Sequence, residues 1–181
     1  MPKNVLVIST SLRNDSNSEA LADAFAAGAR DAGNTVEKIS LRGKTIAFCR
    51  GCLACQRLGS CVISDDALAI AEAMKRADVI AFATPIYYYE MSGQMKTLLD
   101  RLNPLYAADY RFRKVYMLSV AADDEPHTPD KAVNGLQGWI DCFEKASLGG
   151  SLFCGGLELH GQAAKSGDAL EKAYQFGKAL E

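Results

Sequence analysis

The chain has 181 residues, of which 49% are hydrophobic and 23% are charged, and its formal net charge is −2. This composition excludes a disordered or fibrous protein, and the lack of a basic surplus argues against a nucleic-acid partner. Because no apolar stretch is long enough to span a bilayer and no leader-like segment precedes the first apolar run, we expect a cytoplasmic protein without membrane partners. The length predicts a single domain over residues 1–181, with a cysteine-rich loop at residues 47–64.

The apolar pattern predicts five strands that alternate with five helices. Short runs rich in branched residues place the strands at residues 5–8, 35–40, 79–83, 115–120 and 151–159. Apolar residues at helical spacing place the helices within residues 21–32, 68–74, 95–102, 133–143 and 169–180. Gly33 is positioned to end the first helix, and Asp65 is positioned to cap the second.

This regular alternation is typical of parallel strands joined by right-handed crossovers, which form an open, doubly wound α/β sheet. The second strand has the lowest apolar content, so we expect it at an edge of the sheet. The predicted strand order is therefore 2-1-3-4-5, which is the flavodoxin-like order. Ligands of such sheets bind beyond the carboxyl ends of the strands, where the order reverses between strands one and three. Residues 9–18 and 84–93 flank that crevice.

The loop at residues 9–18 is rich in hydroxyl and amide side chains, contains Arg13 and directly precedes a helix. A helix N-terminus offers unpaired backbone N–H groups and a partial positive charge, to which Arg13 adds a forked cationic donor. These features predict a phosphate site, and the alternative is a polar loop with an ordinary helix cap. The chain contains neither a Gly-x-Gly-x-x-Gly fingerprint nor a P-loop.

The loop at residues 84–93 contains three consecutive tyrosines, Tyr87, Tyr88 and Tyr89. Three adjacent aromatic side chains exceed what core packing requires, and their faces suit stacking against a flat ring. The alternative is that one or two of them pack against the next helix or against a partner subunit. A phosphate site and a flat-ring site across one crevice together indicate FMN.

Both loops resemble those of the NAD(P)H-dependent FMN reductase family. The phosphate loop of that family is similar to Ser9-x-Ser-x-Arg-x-x-Ser-Asn-Ser18. Its flavin-ring loop and following helix are similar to Thr84-Pro-Ile-Tyr-Tyr-Tyr-Glu-Met-Ser-Gly-Gln-Met-Lys96, continuing to Leu99-Asp-Arg101. The resemblance, which covers the whole chain in order and spacing, implies FMN as cofactor, NAD(P)H as co-substrate and a homodimer or homotetramer. The implied FMN contacts are Ser9, Ser11, Arg13, Ser16, Asn17, Ser18, Pro85, Ile86, Tyr87, Tyr88, Ser92, Gly93, Ala121, Ala122 and Asp123.

Four of the six cysteines fall in one short loop: Cys49, Cys52, Cys55 and Cys61. Four thiolates so close in sequence suit an iron–sulfur cube, whereas a structural zinc site usually draws on two separated cysteine pairs. The spacing is similar to that of the iron–sulfur flavoproteins, a branch of the same family, and implies a 4Fe–4S cluster beside FMN. A redox disulfide and free thiols are the alternatives, since FMN proteins of this type carry a similar loop.

The sequence therefore predicts an FMN-dependent NAD(P)H oxidoreductase that passes hydride from the nicotinamide to the flavin and on to a quinone, a free flavin or a similar acceptor. Because the cofactor supplies this chemistry, we expect no catalytic protein residue. The alternative is an iron–sulfur flavoprotein that carries electrons between FMN, a 4Fe–4S cluster and a protein partner. A third interpretation is a flavodoxin-like domain that binds no flavin.

Overall fold

The computed structural model describes residues 1–180 of the chain, which contain six strands and six α-helices. The strands are β1 (Asn4–Ser9), β2 (Thr35–Ser40), β3 (Val79–Tyr87), β4 (Glu90–Met91), β5 (Lys114–Val120) and β6 (Ser147–Cys154). The helices are α1 (Asn17–Asp31), α2 (Ala54–Leu58), α3 (Asp66–Arg76), α4 (Gly93–Arg101), α5 (Asp130–Ile140) and α6 (Gly167–Lys178). Within this part of the chain, no helix combines the length and apolarity needed to cross a bilayer.

The five long strands are all parallel and lie in the order β2-β1-β3-β5-β6. This order confirms the predicted flavodoxin-like α/β fold, with the weakly apolar second strand at one edge. The short β4 is additional, and it pairs antiparallel with the end of β3. Because parallel strands end on the same side of the sheet, the loops after β1, β3, β5 and β6 meet along one edge.

The last strand lies about four residues earlier than the predicted 151–159. Its first half contains Gly149 and Gly150, and the sequence pattern there indicates a loop. Gly149 is required because a Cβ atom at this position would lie 2.4 Å from the ring of Tyr116 on β5. The register shifts next to Tyr116, which accommodates the ring. Gly156, with a φ of 69°, follows the strand in a left-handed conformation.

Side chains of the central strands alternate between two apolar layers. Val5 and Val7 of β1 pack with α1 and α6, whereas Leu6 and Ile8 pack with α3, α4 and α5. This alternation follows from the period of two residues in a strand, and both faces are covered because helices cross on both sides. The predicted cap of α3 is confirmed, since the Asp65 carboxylate accepts a hydrogen bond from the backbone N–H of Ala67.

Helices α1 and α6 approach each other through two glycines. A Cβ atom on Gly177 would lie 2.0 Å from the carbonyl oxygen of Phe25, and one on Gly28 would lie 2.0 Å from that of Tyr174. Since real side chains do not tolerate such distances, the contact requires glycine on both helices. This close packing fixes the position of α1, which carries the predicted phosphate loop at its N-terminus.

We expect Gly177→Ala to lower the free energy of unfolding by about 1–3 kcal/mol, because the added methyl group must push α6 away from α1. The matched control is Gly138→Ala in α5, where a Cβ atom meets nothing within 4 Å. Removing a glycine from an exposed helix interior should raise the free energy of unfolding by about 0.5–1 kcal/mol. Urea unfolding of both variants measures the two effects, and changes of the same sign would contradict the packing argument.

Candidate functional site

A cleft of about 220 Å³ opens at the carboxyl ends of β1 and β3, where the strand order reverses. Its walls come from the loop after β1, the end of β3 and the loops after β5 and β6. The structure thus brings together parts of all three segments that the sequence analysis assigned to FMN. The predicted residues that line the cleft are Ser11, Arg13, Ser16, Asn17, Pro85, Ile86, Tyr87, Ala121 and Ala122.

The phosphate loop ends at the N-terminus of α1. The Ser16 side chain caps this helix by accepting a hydrogen bond from the Glu19 N–H at 3.3 Å, and its Oγ lies 3.1 Å from the Oγ of Ser18. The Ser9 hydroxyl is buried and has no hydrogen-bond partner within residues 1–180. Because Ser9 shares the face of β1 with Val7, which packs with α1, strand alternation directs the Ser9 hydroxyl towards the same helix.

Asn17 and Arg13 both contact the loop after β6. The Asn17 side-chain amide donates to the carbonyl oxygens of Leu157 and Leu159 and accepts from the N–H of Ala163 at 2.9 Å. The Asn17 side chain is therefore engaged in holding that loop, which leaves its backbone N–H as the group available to a ligand. Arg13 is exposed at the cleft and donates to the carbonyl of Glu158 at 3.3 Å. It is the predicted cationic donor, and it is free to reorient.

The three tyrosines form the tip of a hairpin between β3 and β4. Tyr87 is 48% exposed and lines the cleft, whereas Tyr88 is 99% exposed and extends into solvent. Tyr89 lies under the ammonium group of Lys131, 5.5 Å from the ring centroid. Tyr88 and Tyr89 form the turn with positive φ angles of 51° and 66°, a conformation that is costly for residues with a Cβ atom. In this structure only Tyr87 of the three borders the predicted stacking slot.

Ser92 lies behind the cleft as the N-cap of α4. Its fully buried Oγ is 3.1 Å from the Thr10 hydroxyl and 3.2 Å from the Thr84 hydroxyl, and it accepts from the Met95 N–H. These contacts make Ser92 a support for both loops. Gly93 borders a neighbouring apolar groove on the other side of the phosphate loop. Direct contact of either residue with FMN stays a prediction.

The loop after β5 brings Ala121 and Ala122 to the cleft, while Asp123 turns away from it. The Asp123 carboxylate accepts from the Thr128 hydroxyl at 2.9 Å and from the Glu125 N–H at 3.2 Å, so it organises its own loop. Three further residues line the cleft and were not predicted from the sequence: Val120, Leu157 and Glu158. The position of the last strand beside β5 is the signal that could have found the latter two, because the following loop must reach the same edge.

The four loop cysteines all carry free thiols. Cys49 and Cys52 are exposed, and Cys55 and Cys61 are half-buried. Among residues 1–180, no three side chains of Cys, His, Asp or Glu converge closely enough to hold a metal ion. The arrangement of the thiols in this structure therefore does not fit a 4Fe–4S cluster.

A buried ion pair fastens both ends of the cysteine loop to α4. The guanidinium of Arg101 donates to both carboxylate oxygens of Asp65, at 2.6 and 2.9 Å. It also donates to the carbonyl oxygens of Ala47 at 2.8 Å and Ile63 at 3.1 Å. Burial acts to raise the pKa of Asp65, but hydrogen bonds from Arg101 and two backbone N–H groups outweigh it and lower the pKa.

The sheet order and the cleft at its reversal place the chain among doubly wound α/β proteins that bind a cofactor at this edge. Residues 3–140 match the NADPH-dependent FMN reductase family, and the chain therefore belongs to this family. The family is that of the NADPH-dependent FMN reductases, whose name specifies FMN and NADPH. This assignment confirms the resemblance found in the sequence.

The chain spans about half the length of two curated relatives that it matches. An iron–sulfur flavoprotein of Archaeoglobus fulgidus is 34% identical over 92 residues, which cover 51% of this chain and 42% of that protein. An iron–sulfur flavoprotein of Methanocaldococcus jannaschii is 38% identical over 101 residues, which cover 56% and 52%. An NAD(P)H:quinone oxidoreductase from Methanothermobacter marburgensis superposes with a TM-score of 0.74 at 18% identity and 100% coverage of both chains. This last likeness concerns the fold.

We expect Asp65→Asn to lower the free energy of unfolding at pH 7 by about 3–5 kcal/mol, because it leaves the buried Arg101 charge without a counter-charge. The lowered pKa of Asp65 means that the ion pair stabilises the wild type fully above the ordinary carboxyl pKa of about 3.9. That stabilisation is lost as the pH falls through the lower value of the folded state, so the two proteins should converge in acid.

Urea unfolding at several pH values measures this difference. Asp109→Asn, at a carboxylate whose side chain is 97% exposed, is the control and should change the free energy of unfolding by less than about 0.5 kcal/mol. An Asp65→Asn variant as stable as the control at pH 7 would contradict a stabilising role of the Asp65–Arg101 ion pair.

Proposed function

We propose that the protein binds FMN in the cleft between the loops after β1 and β3 and reduces a small acceptor at the expense of NAD(P)H. The observation that carries the proposal is the buried Ser9 hydroxyl without a partner, on a strand that leads into the N-terminus of α1. An unsatisfied buried hydroxyl is costly, and a phosphate oxygen at the helix N-terminus would satisfy it. When bound, FMN accepts a hydride from the nicotinamide and delivers two electrons to the acceptor.

The phosphate end of the proposed site draws on three kinds of donor. Ser11, Ser16 and Ser18 supply hydroxyls, the first turn of α1 supplies backbone N–H groups, and Arg13 supplies a guanidinium. Arg13 is held by one long hydrogen bond to a carbonyl oxygen, so turning it to a phosphate costs little. Each of these donors presents a positively polarised hydrogen atom, and Arg13 adds a full positive charge, which suits a phosphate dianion.

The ring end of the proposed site is mostly apolar. Its apolar lining consists of Pro85, Ile86, Tyr87, Ala121 and Ala122. Such a slot orients a flat ring and excludes water from one side of it, while the open side admits the nicotinamide and then the acceptor. The fully exposed Tyr88 stands at this opening, and it would contact a ligand or a second subunit rather than the ring itself.

Arg13→Ala should weaken FMN binding by about 1.5–3 kcal/mol, the worth of a charge-assisted hydrogen bond. Quenching of flavin fluorescence on titration of FMN into flavin-free protein gives the dissociation constant. Arg30→Ala, at an exposed arginine at the far end of α1, is the control and should leave it unchanged. An unaltered constant for Arg13→Ala would remove this residue from the site.

The acceptor that we propose is a quinone or a free flavin. A quinone or free flavin is supported by the open, apolar side of the cleft and by the name of the superposed quinone oxidoreductase. Steady-state oxidation of NADH and NADPH by the FMN-loaded protein, with and without a quinone, tests this part of the proposal.

A second candidate function is that of an electron carrier with a 4Fe–4S cluster and a protein partner. The spacing of Cys49, Cys52, Cys55 and Cys61 favours it, and so do the names of the two curated relatives. The thiols of this structure would have to rearrange to form such a site. The thiols lie on a half-exposed loop that contains glycine. Its backbone has positive φ angles at Gly51, Leu53 and Gly59.

Anaerobic reconstitution with iron and sulfide separates the two functions. The carrier requires about four irons per chain and broad absorption in the visible range, and Cys52→Ser should abolish the iron while FMN stays bound. Electron transfer to a ferredoxin but not to quinones would then favour the carrier. If the wild type takes up no iron and oxidises NAD(P)H with a quinone, the oxidoreductase function stands alone.

We also propose that the protein forms a homo-oligomer. Phe48, Leu53, Leu58 and Val62 expose more than half of their surface on the cysteine loop, beside the apolar groove that Leu12 also borders. A cluster of exposed apolar side chains is typical of a surface that another chain covers. A subunit on this face would lie next to the cleft.

A further inference from the structure

The tyrosine hairpin between β3 and β4 turns through a strained backbone. Tyr88 and Tyr89 have positive φ angles of 51° and 66°, and neither is the glycine or asparagine that such a turn favours. A residue with a Cβ atom keeps this conformation only where surrounding contacts hold it. Strained residues of this kind are concentrated at ligand sites, so the contacts that hold the hairpin bear on the neighbouring cleft.

One face of α5 supplies two of these contacts. Lys131 and Gly135 are four residues apart, which places them on the same side of the helix. The ammonium group of Lys131 lies 5.5 Å from the ring centroid of Tyr89. A Cβ atom on Gly135 would lie 3.2 Å from the Cε of Met91, so β4 packs closely against α5 at that point. The hairpin is thus attached to α5 at two successive turns of the helix.

The contact between Lys131 and Tyr89 holds the outer end of the hairpin. Within residues 1–180 the Lys131 ammonium forms no ion pair, so its charge is available to the face of the ring. A cation over an aromatic face is attracted by the quadrupole of the ring. Because Tyr89 is 50% exposed, the core alone does not immobilise its ring. The inner end of the hairpin is held separately, by the hydrogen bond between the Thr84 and Ser92 hydroxyls.

The hairpin and α5 both connect to the cleft. Tyr87 lines the cleft from the hairpin, and α5 follows the loop that brings Ala121 and Ala122 to it. We propose that Lys131 is a positioning residue for the flavin-ring slot, because its contact with Tyr89 fixes Tyr87 relative to the loop after β5. This inference rests on the proposed binding of FMN in the cleft. Without the contact the strained turn relaxes and the ring end of the slot widens, while the phosphate end keeps its donors.

Binding of two flavins separates the ring end from the phosphate end, since riboflavin carries the same ring as FMN but no phosphate. Lys131→Met keeps an apolar stem and removes the charge, so it should weaken the binding of both flavins about two- to fivefold. Lys131→Arg keeps a cation and should restore wild-type affinity for both. The matched control is Lys178→Met, which removes a similar contact 5.7 Å from the ring centroid of Tyr174 on α6 and should change neither affinity.

Amide hydrogen exchange of the flavin-free protein reports on the hairpin directly. Peptides that cover residues 86–91 should exchange about two- to fivefold faster in Lys131→Met than in the wild type, and at the wild-type rate in Lys178→Met. Tyr89→Leu removes the ring and should have the same effect as Lys131→Met. Because both changes break one contact, combining them should add nothing further.

The outcomes distinguish this inference from the proposed function. A wild type that binds neither flavin would overturn both. A wild type that binds FMN, with an affinity that Lys131→Met leaves unchanged, would overturn the inference alone. So would a loss of affinity confined to FMN, which would place Lys131 at the phosphate, and so would unchanged hydrogen exchange of the hairpin in Lys131→Met.

Discussion

A junction of three buried hydroxyls gives the cleft its shape. Thr10 follows β1, Thr84 lies on β3 and Ser92 caps α4. The Ser92 Oγ lies 3.1 Å from the Thr10 hydroxyl oxygen and 3.2 Å from that of Thr84. The junction continues into the backbone, since the Thr10 N–H donates to the carbonyl oxygen of Ala83. Because water is excluded here, loss of one of the three hydrogen-bonded hydroxyls leaves the others unsatisfied, which costs about 1–3 kcal/mol. The loops after β1 and β3 therefore cannot move apart independently. The proposed phosphate and ring subsites therefore keep a fixed separation.

The sequence predicted the sheet order because the signals for it are local. Branched apolar runs identified the central strands, and the polar residues of β2 identified an edge. The bounds of β6 were wrong because Gly149 and Gly150 signal a loop when read alone. Their role depends on the ring of Tyr116, which lies 33 residues earlier on the neighbouring strand. Packing between strands is not visible in one segment of sequence.

Part of the lining of the candidate site was also predicted from the sequence. The lining residues of the loop after β1 and of the end of β3 follow from the motif, since both segments are fixed by well-defined strands. The support residues do not, because their roles depend on partners distant in sequence. Asn17 holds residues 157–163 rather than presenting its amide, and Arg101 is buried although the last turn of a helix usually exposes its arginine. Long-range ion pairs and loop contacts decided these outcomes.

The dependence of α1 on residues 157–177 affects the order of events during synthesis. The N-terminal half of the proposed cofactor site leaves the ribosome early, but its helix lacks its main packing partner until α6 has emerged. Phe25 packs against the last helix through Gly177, and Asn17 is fixed by residues 157–163. Consequently the apolar face of α1 stays partly uncovered until α6 has been synthesised. The proposed cofactor site is complete only once residues 157–177 are in place.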